Sequence, residues 1–128
     1  DPVYHFPIMN MTREKLEQLI EEAAQTGEPV SMEGEDLSWA DLSGCDLTDA
    51  NLRGASLVRA NLAGADLSGA DLREADLRNA DLEGAVLRDA LLSDADVAGA
   101  SFRDADLVGA DMEGVNFDEA IIEDAQFL

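Results

Sequence analysis

Carboxylate side chains are the most frequent groups in this sequence that could do chemistry. Carboxylates at regular spacing could act as a paired acid and base or could bind calcium. A calcium-binding β-helix needs repeated glycine and aspartate in a nine-residue pattern, which is missing here. An aspartate at a chain corner can instead accept hydrogen bonds from backbone N–H groups, so we expect these residues to serve the fold. The aspartates concerned recur at spacings of five and twenty: Asp36, Asp41, Asp46, Asp66, Asp71, Asp76, Asp81, Asp96, Asp106 and Asp111.

Other reactive residue types are scarce. The single cysteine, Cys45, cannot form an intramolecular disulfide and stands where the sequence otherwise places alanine, so we expect it to be buried and unreactive. The single histidine, His5, cannot supply a metal-binding cluster. The sequence contains no glycine-rich phosphate loop and no Ser/His/Asp set. It therefore predicts a protein that is not an enzyme and that needs no cofactor.

Net charge narrows the classes of partner. The 128 residues include 8 Lys and Arg against 29 Asp and Glu, which gives a net charge of -21. Such a surface repels nucleic acid and anionic membranes. The apolar fraction of 46% is too high for a disordered acidic tail, and the apolar runs are too short for a membrane span. We expect one folded domain and, because no secretory signal is visible, a cytoplasmic location.

The elements that position these carboxylates are set by a period of five. From residue 36 the chain reads DLSWA DLSGC DLTDA NLRGA and continues without a frame break. Two residues before each large residue, from 40 to 125, stand eighteen residues, of which sixteen are Ala. The large apolar residue of each repeat is Leu at 37, 42, 47, 52, 57, 62, 67, 72, 77, 82, 87, 92 and 107, with Val97, Phe102, Met112, Phe117, Ile122 and Phe127 completing nineteen.

A period of five matches neither an α-helix nor a continuous strand, so the chain must turn every five residues. If each repeat is a short extended side that ends in a corner, the large residue and the small residue two before it both point inward. Successive coils then stack by parallel backbone pairing about 4.8 Å apart. Spacing alone leaves three, four or five sides per coil open.

The tandem A(D/N)LXX pattern over residues 36–127 resembles the pentapeptide-repeat family. This resemblance implies an all-β, right-handed, four-sided parallel β-helix, often with a helix capping its N-terminal end. Four sides make a coil of twenty residues, so residues twenty apart become neighbours. Trp39 then lies against Arg59, and Arg53 against Arg73.

An amphipathic helix is predicted before the repeats. Residues 12–27 (TREKLEQLIEEAAQTG) place Leu16, Leu19 and Ile20 on one apolar stripe. Thr12 is a good N-cap and Gly27 a good C′ residue, which gives a helix over 13–26. We expect this capping helix to cover the open end of the solenoid that spans 28–128, as one domain with it. Residues 1–11 are a leader of uncertain origin.

Two surfaces are candidates for contacts. Val86 and Leu91 replace the usual Asp or Asn, and Val108 follows twenty-two residues after Val86, which predicts an apolar interaction patch. The resemblance implies a second surface, because end-to-end dimers are known in the family; the alternatives are a frayed end or a removed cap. The candidate dimer face consists of Phe117, Ile121, Ile122, Phe127 and Leu128.

Two functions follow from these features. The first is a non-enzymatic, rigid, acidic module for protein–protein interaction, with a partner and pathway that the sequence does not name. The alternative is a DNA mimic, because some acidic members of the family bind type II topoisomerases such as gyrase in place of DNA and give quinolone protection. Residues 104–124 hold eight acidic side chains and no basic one, which favours mimicry. The unbroken repeats argue against it, because topoisomerase-directed members are longer and several carry loops.

Overall fold

A computed structural model describes residues 13–128 of the chain and begins with one helix. Helix α1 spans Arg13–Thr26, the range that the sequence predicts. Gly27 has a φ of 78° and its N–H bonds the carbonyl of Ala23 at 2.8 Å, so it ends the helix as predicted. The predicted N-cap Thr12 and the leader 1–11 lie outside the described residues.

Parallel backbone pairing follows α1 at a spacing of twenty residues. Bridges run from Ser31↔Asn51 to Asp106↔Gln126, and each pairs a residue with the one twenty positions later. Within a typical pair of coils, the Leu62 N–H bonds the carbonyl of Asp81 at 2.7 Å, and the Asn61 N–H bonds the carbonyl of Ala40 at 2.9 Å. One coil therefore contains four repeats, and the predicted adjacency of residues twenty apart is confirmed.

The predicted all-β class is met only in part. The paired residues within 13–128 form isolated single-residue bridges and no longer strand. The reason lies in the repeat, because two of its five residues form a turn and interrupt the extended backbone. The solenoid is therefore a ladder of single bridges joined by turns.

Each turn except the one at Glu119 places one residue in the left-handed region. The N–H of the small residue closes the turn by donating to the carbonyl of the large residue three positions earlier, as the Ala65 N–H does to the Leu62 carbonyl at 3.0 Å. The residue before Ala65, Gly64, has a φ of 67°, which is the third position of a type II turn. Nine such positions between 34 and 114 carry glycine, and nine others carry a side chain, among them Trp39 at a φ of 65°.

The core is a column of leucine and alanine side chains. The large residues from Leu37 to Leu107 and the small residues from Ala40 to Ala105 are buried, as the period predicts. Toward the C-terminus burial decreases: Met112, Phe117 and Phe127 are half-buried and Ile122 is exposed. The inward arrangement is therefore confirmed through residue 107 and loosens in the last coil.

The last coil also departs from the ladder at one side. Asp96 has no bridge to Asn116, and the Gly99 N–H bonds the carbonyl of Glu119, twenty residues later rather than the usual nineteen. Glu119 also lacks the positive φ that this turn position has elsewhere in the described repeats. Nearby, the Phe117 ring makes edge contacts with Phe102 at 5.6 Å and Phe127 at 5.8 Å between centroids.

Replacing Ala70 with Leu tests the packed column. Ala70 is fully buried, so added methylenes must displace the surrounding coil, and we expect unfolding free energy to fall by about 1 to 3 kcal/mol. Thermal and denaturant unfolding measure the loss. Glu83→Leu adds a leucine at an exposed turn position and serves as the control. Equal stability of Ala70→Leu and the unmodified chain would contradict the column.

Candidate functional site

The recurring carboxylates bond the backbone of their own repeats. In a typical case, Oδ1 of Asp81 accepts the N–H of Glu83 at 2.9 Å, which is the turn contact that the sequence predicts. Asn61 makes the same contact to Ala63 without carrying a charge. The Asp and Asn acceptors at this position are Asp36, Asp41, Asp46, Asn51, Asn61, Asp66, Asp71, Asp76, Asp81, Asp96, Asp106, Asp111 and Asn116, and the Ser101 hydroxyl accepts the Arg103 N–H in the same way.

These contacts hold several carboxyl groups in the ionised form. Hydroxyl donation by Ser43 lowers the pKa of Asp41, and the guanidinium of Arg73 lowers the pKa of Asp71 through a side-chain hydrogen bond. The pKa of Asp106 is lowered by the backbone N–H of Val108 and then by Arg88. A lowered pKa suits a structural acceptor and opposes a general acid. The stability that such a group contributes is lost as pH falls through its lowered pKa.

Most arginines also pair with carboxylates of the solenoid. Arg73 bonds Asp71 of its own repeat with an Nη2–Oδ2 distance of 2.6 Å. Arg53 lies one coil from Arg73, as the twenty-residue spacing predicts, and its guanidinium pairs with Glu74 at 3.0 Å. The remaining pairs join Arg13 to Glu17 and Asp41, Arg78 to Asp76 and Asp96, Arg88 to Asp106, and Arg103 to Glu123.

The part of the chain that the structure describes offers neither a metal-binding cluster nor a reactive thiol. No group of three or more His, Cys, Asp and Glu side chains there could hold a metal ion. Cys45 is buried, as predicted, and burial raises the pKa of its thiol. A raised pKa leaves little thiolate, the form that reacts.

The three residues of the predicted apolar patch lie on two neighbouring sides of the solenoid. Val86 bridges Asp66 and Asp106, and Leu91, one corner later, bridges Asp71 and Asp111. Val86, Leu91 and Val108 are all half-buried. Between Val86 and Val108, the ion pair of Arg88 with Asp106 joins two coils at 2.6 Å. The structure therefore gives two small apolar contacts separated by charge.

The candidate dimer face lies in the last coil. Ile121 bridges Ser101, and it is 51% exposed. Ile122 and Leu128 are also exposed, whereas Phe117 and Phe127 are half-buried and in mutual edge contact. The five residues share one end of the solenoid, together with the exposed carboxylates Asp118, Glu119, Glu123 and Asp124.

Two features near the N-terminal end complete the surface. Trp39 and Arg59 lie together as predicted, with the guanidinium carbon 5.2 Å from the ring centroid. An open groove of about 220 Å³ lies between α1 and the first coil, lined by residues that include Ile20, Ala23 and Val30. Sequence reasoning did not predict this groove, because it arises from the packing of the helix against the first coil. Within the described residues, no helix is both long and apolar enough to cross a membrane.

The family model for pentapeptide repeats matches the chain in 8 copies over residues 36–73, 70–107 and 98–127. These segments carry the ladder, the turns and the buried column described above. The chain belongs to the pentapeptide-repeat family. Its solved relatives imply a right-handed quadrilateral β-helix.

Several solved pentapeptide-repeat proteins are similar to this one. The protein alr5209 from Nostoc PCC 7120 is 33% identical, with a TM-score of 0.53, and the match covers 87% of this chain and 78% of that one. Rfr23 from Cyanothece 51142 is 30% identical with a TM-score of 0.43, covering 79% of this chain and 66% of Rfr23. This pentapeptide-repeat chain thus spans slightly less than two thirds of Rfr23.

A more distant match is QnrB1, a plasmid-mediated fluoroquinolone resistance protein. It is 23% identical with a TM-score of 0.43, and the match covers 67% of this chain and 47% of QnrB1. No curated protein sequence matches this pentapeptide-repeat chain significantly.

Proposed function

We propose that this pentapeptide-repeat protein is a non-enzymatic, rigid, acidic module for protein–protein interaction. The observation that supports this function is that the recurring polar groups bond other groups of the solenoid. The corner carboxylates bond their own backbone, as Asp81 does with Glu83, and most arginines bond carboxylates of the solenoid. These polar groups therefore stabilise the fold, and the flat charged sides and the ends of the solenoid are left as surfaces for partners.

The proposed architecture is a four-sided, right-handed solenoid with α1 as its N-terminal cap, forming one domain over residues 12–128. Leu16 is fully buried in the core, and Leu19 and Ile20 pack against it. Arg13 adds a polar attachment, because its Nη1 donates to the carbonyl of Asp41 at 2.9 Å. A helix held at both its apolar stripe and its first residue is suited to cover the first coil.

Partner contacts along the sides are assigned to the apolar positions Val86, Leu91 and Val108. Each interrupts a surface that is otherwise charged, and each keeps part of its side chain in solvent. Half-buried aliphatic residues contribute to an interface when a partner completes their burial. Neither nucleic acid nor a membrane is proposed as a direct partner, given the net charge of -21.

DNA mimicry of the kind that targets a type II topoisomerase is the second candidate. Eight carboxylates without a cation over residues 104–124 favour it. Against it stands the origin of much of the charge, because acidic residues such as Asp106 and Asp111 have a turn contact to make. Carboxylates that already serve as turn acceptors are weak support for imitation of a phosphate ladder.

Capture from a lysate of the source organism tests the proposed function. We expect chemical cross-linking to join the folded chain to one or a few proteins at defined positions of the solenoid, read by mass spectrometry. Heat-unfolded chain is the control, because it keeps the charge of -21 but loses the flat sides. Partners that cross-link equally to the unfolded chain would contradict a role for the rigid surface.

A supercoiling assay with purified gyrase separates the two candidates. We expect no inhibition and no protection from a quinolone at micromolar protein, even at low salt, where acidic surfaces act most strongly. Inhibition that weakens as salt is added would replace the interaction module with the DNA mimic.

The chain itself is a further proposed partner, through an end-to-end homodimer of two solenoids. A two-fold interface would bring Phe117, Ile121, Ile122, Phe127 and Leu128 against their own copies. The carboxylates of the same end oppose this contact, but their charged heads can stay in water at the rim. One coil is small in cross-section, and stable interfaces bury about 1,000 Å² or more. We therefore expect a weak dimer that salt strengthens by screening.

Phe127→Asp tests this dimer by sedimentation velocity. At high micromolar concentration and high salt, we expect the unmodified chain to show a dimer and Phe127→Asp to stay monomeric, because a charge is placed in the apolar centre. Ala63→Asp adds the same charge to a side of a middle coil and should leave the dimer intact. A dimer that persists in Phe127→Asp, or its absence in the unmodified chain, would contradict the proposal.

A further inference from the structure

One side of the solenoid is balanced in charge near the N-terminal end, and we name it the Trp39 side. It comprises residues 36–40, 56–60 and 76–80, which the bridges Asp36↔Ser56 and Ser56↔Asp76 align. Its carboxylates, Asp36 and Asp76, are matched in number by the guanidinium groups of Arg59 and Arg78. In the same three coils, each of the other sides carries more carboxylates than cations. A negatively charged group of a partner therefore meets less electrostatic repulsion on this side than on the other three.

Trp39 occupies a backbone position that does not suit it. Its φ of 65° lies in the left-handed region, where glycine is favoured and a bulky side chain is strained. Burial does not compensate for this strain, because the side chain is 47% exposed. Eight other described residues with side chains share this turn conformation, and Trp39 differs from them in being a large, exposed aromatic residue, which favours a role at the surface. Tryptophan is also among the residues that dominate binding energy in protein interfaces.

Arg59 differs from the other arginines that the structure describes. Arg53, Arg73, Arg88 and the rest each have a carboxylate oxygen within 4.0 Å, whereas the contact found for Arg59 is the face of Trp39, at 5.2 Å. Its guanidinium is exposed and keeps its five donors for an external acceptor. A planar cation beside an aromatic ring can bind a carboxylate with two parallel hydrogen bonds.

We propose that Trp39 and Arg59 form a contact site for a partner protein that presents an Asp or Glu next to a proline or aromatic residue. The partner's carboxylate bonds the Arg59 guanidinium, and the neighbouring flat side chain packs on the exposed part of the Trp39 ring. A single carboxylate suits this side better than an acidic run, because the solenoid as a whole carries a charge of -21. This inference rests on the proposed function as an interaction module and names its partner class.

A displayed library of random peptides, selected on the full chain, tests the site. Peptides recovered are synthesised with a fluorescein label, and their binding is followed by anisotropy. We expect Asp or Glu beside Pro, Phe or Tyr in the peptides, and affinity at least tenfold weaker for Arg59→Glu. Arg103→Glu makes the same charge change on another side and should bind as the unmodified chain does. Emission of Trp39, the single tryptophan, should change on binding of tryptophan-free peptides.

A second variant keeps the test valid if Arg59→Glu fails to fold. Trp39→Gly places glycine at a φ of 65°, so we expect its melting temperature to be retained or raised while peptide binding is lost. Asp49→Gly is the matched control, because Asp49 has a φ of 59° at the same turn position on another side. It should bind peptide normally.

Three results would overturn the site. They are recovery of no peptides, recovery of peptides without a carboxylate, and equal peptide affinity for Arg59→Glu, Trp39→Gly and the unmodified chain. Each would leave the proposed function standing if cross-linking still captures a partner on another side. Failure of that capture would instead remove the interaction module itself, so the two failures are distinguishable.

Discussion

Backbone hydrogen bonding is the constraint on which this structure depends. A chain that turns every five residues cannot form long strands, yet its buried N–H and C=O groups must still find partners. The ladder between coils satisfies groups such as the Leu62 N–H, and the turn itself satisfies the Ala65 N–H. The N–H of the residue that follows the large residue is accepted by the side chain of Asp or Asn, as Asn61 accepts the N–H of Ala63. This division of partners fixes the type of residue required at each position of the repeat.

Part of the acidic surface lies at these acceptor positions. Because the corner acceptor is usually aspartate, stacking coils also stacks negative charge, and arginines such as Arg73 and Arg88 relieve it locally. The lowered pKa of Asp71 and Asp106 shows carboxylates stabilised as ions by donors of the fold. The proposed contact sites lie where this pattern of paired carboxylates is interrupted. Trp39 with Arg59 is such a place, and the loosened last coil is another.

Period and residue type were enough to predict the column and helix α1, because both depend on backbone spacing, whereas the twenty-residue neighbours depend on the number of sides per coil. Four sides came from the family resemblance, and spacing alone did not supply them. Choices between nearby partners were not predictable: Arg53 pairs with Glu74, and Arg88 bonds Asp106 within the expected apolar patch. The shifted contact of Gly99 with Glu119 also depends on packing within the last coil, which the regular repeat does not encode.

Substitution of Asp66 measures most directly whether the recurring carboxylates serve the fold. Its Oδ1 accepts the Ser68 N–H at 3.0 Å and the Ser68 hydroxyl at 2.7 Å. Asp66→Asn keeps an acceptor and removes the charge, so we predict a change in unfolding free energy below about 0.5 kcal/mol. Asp66→Ala removes the acceptor, and we predict a loss of about 1 kcal/mol. Equal stability of Asp66→Ala and the unmodified chain, or an equal loss in both variants, would contradict the account.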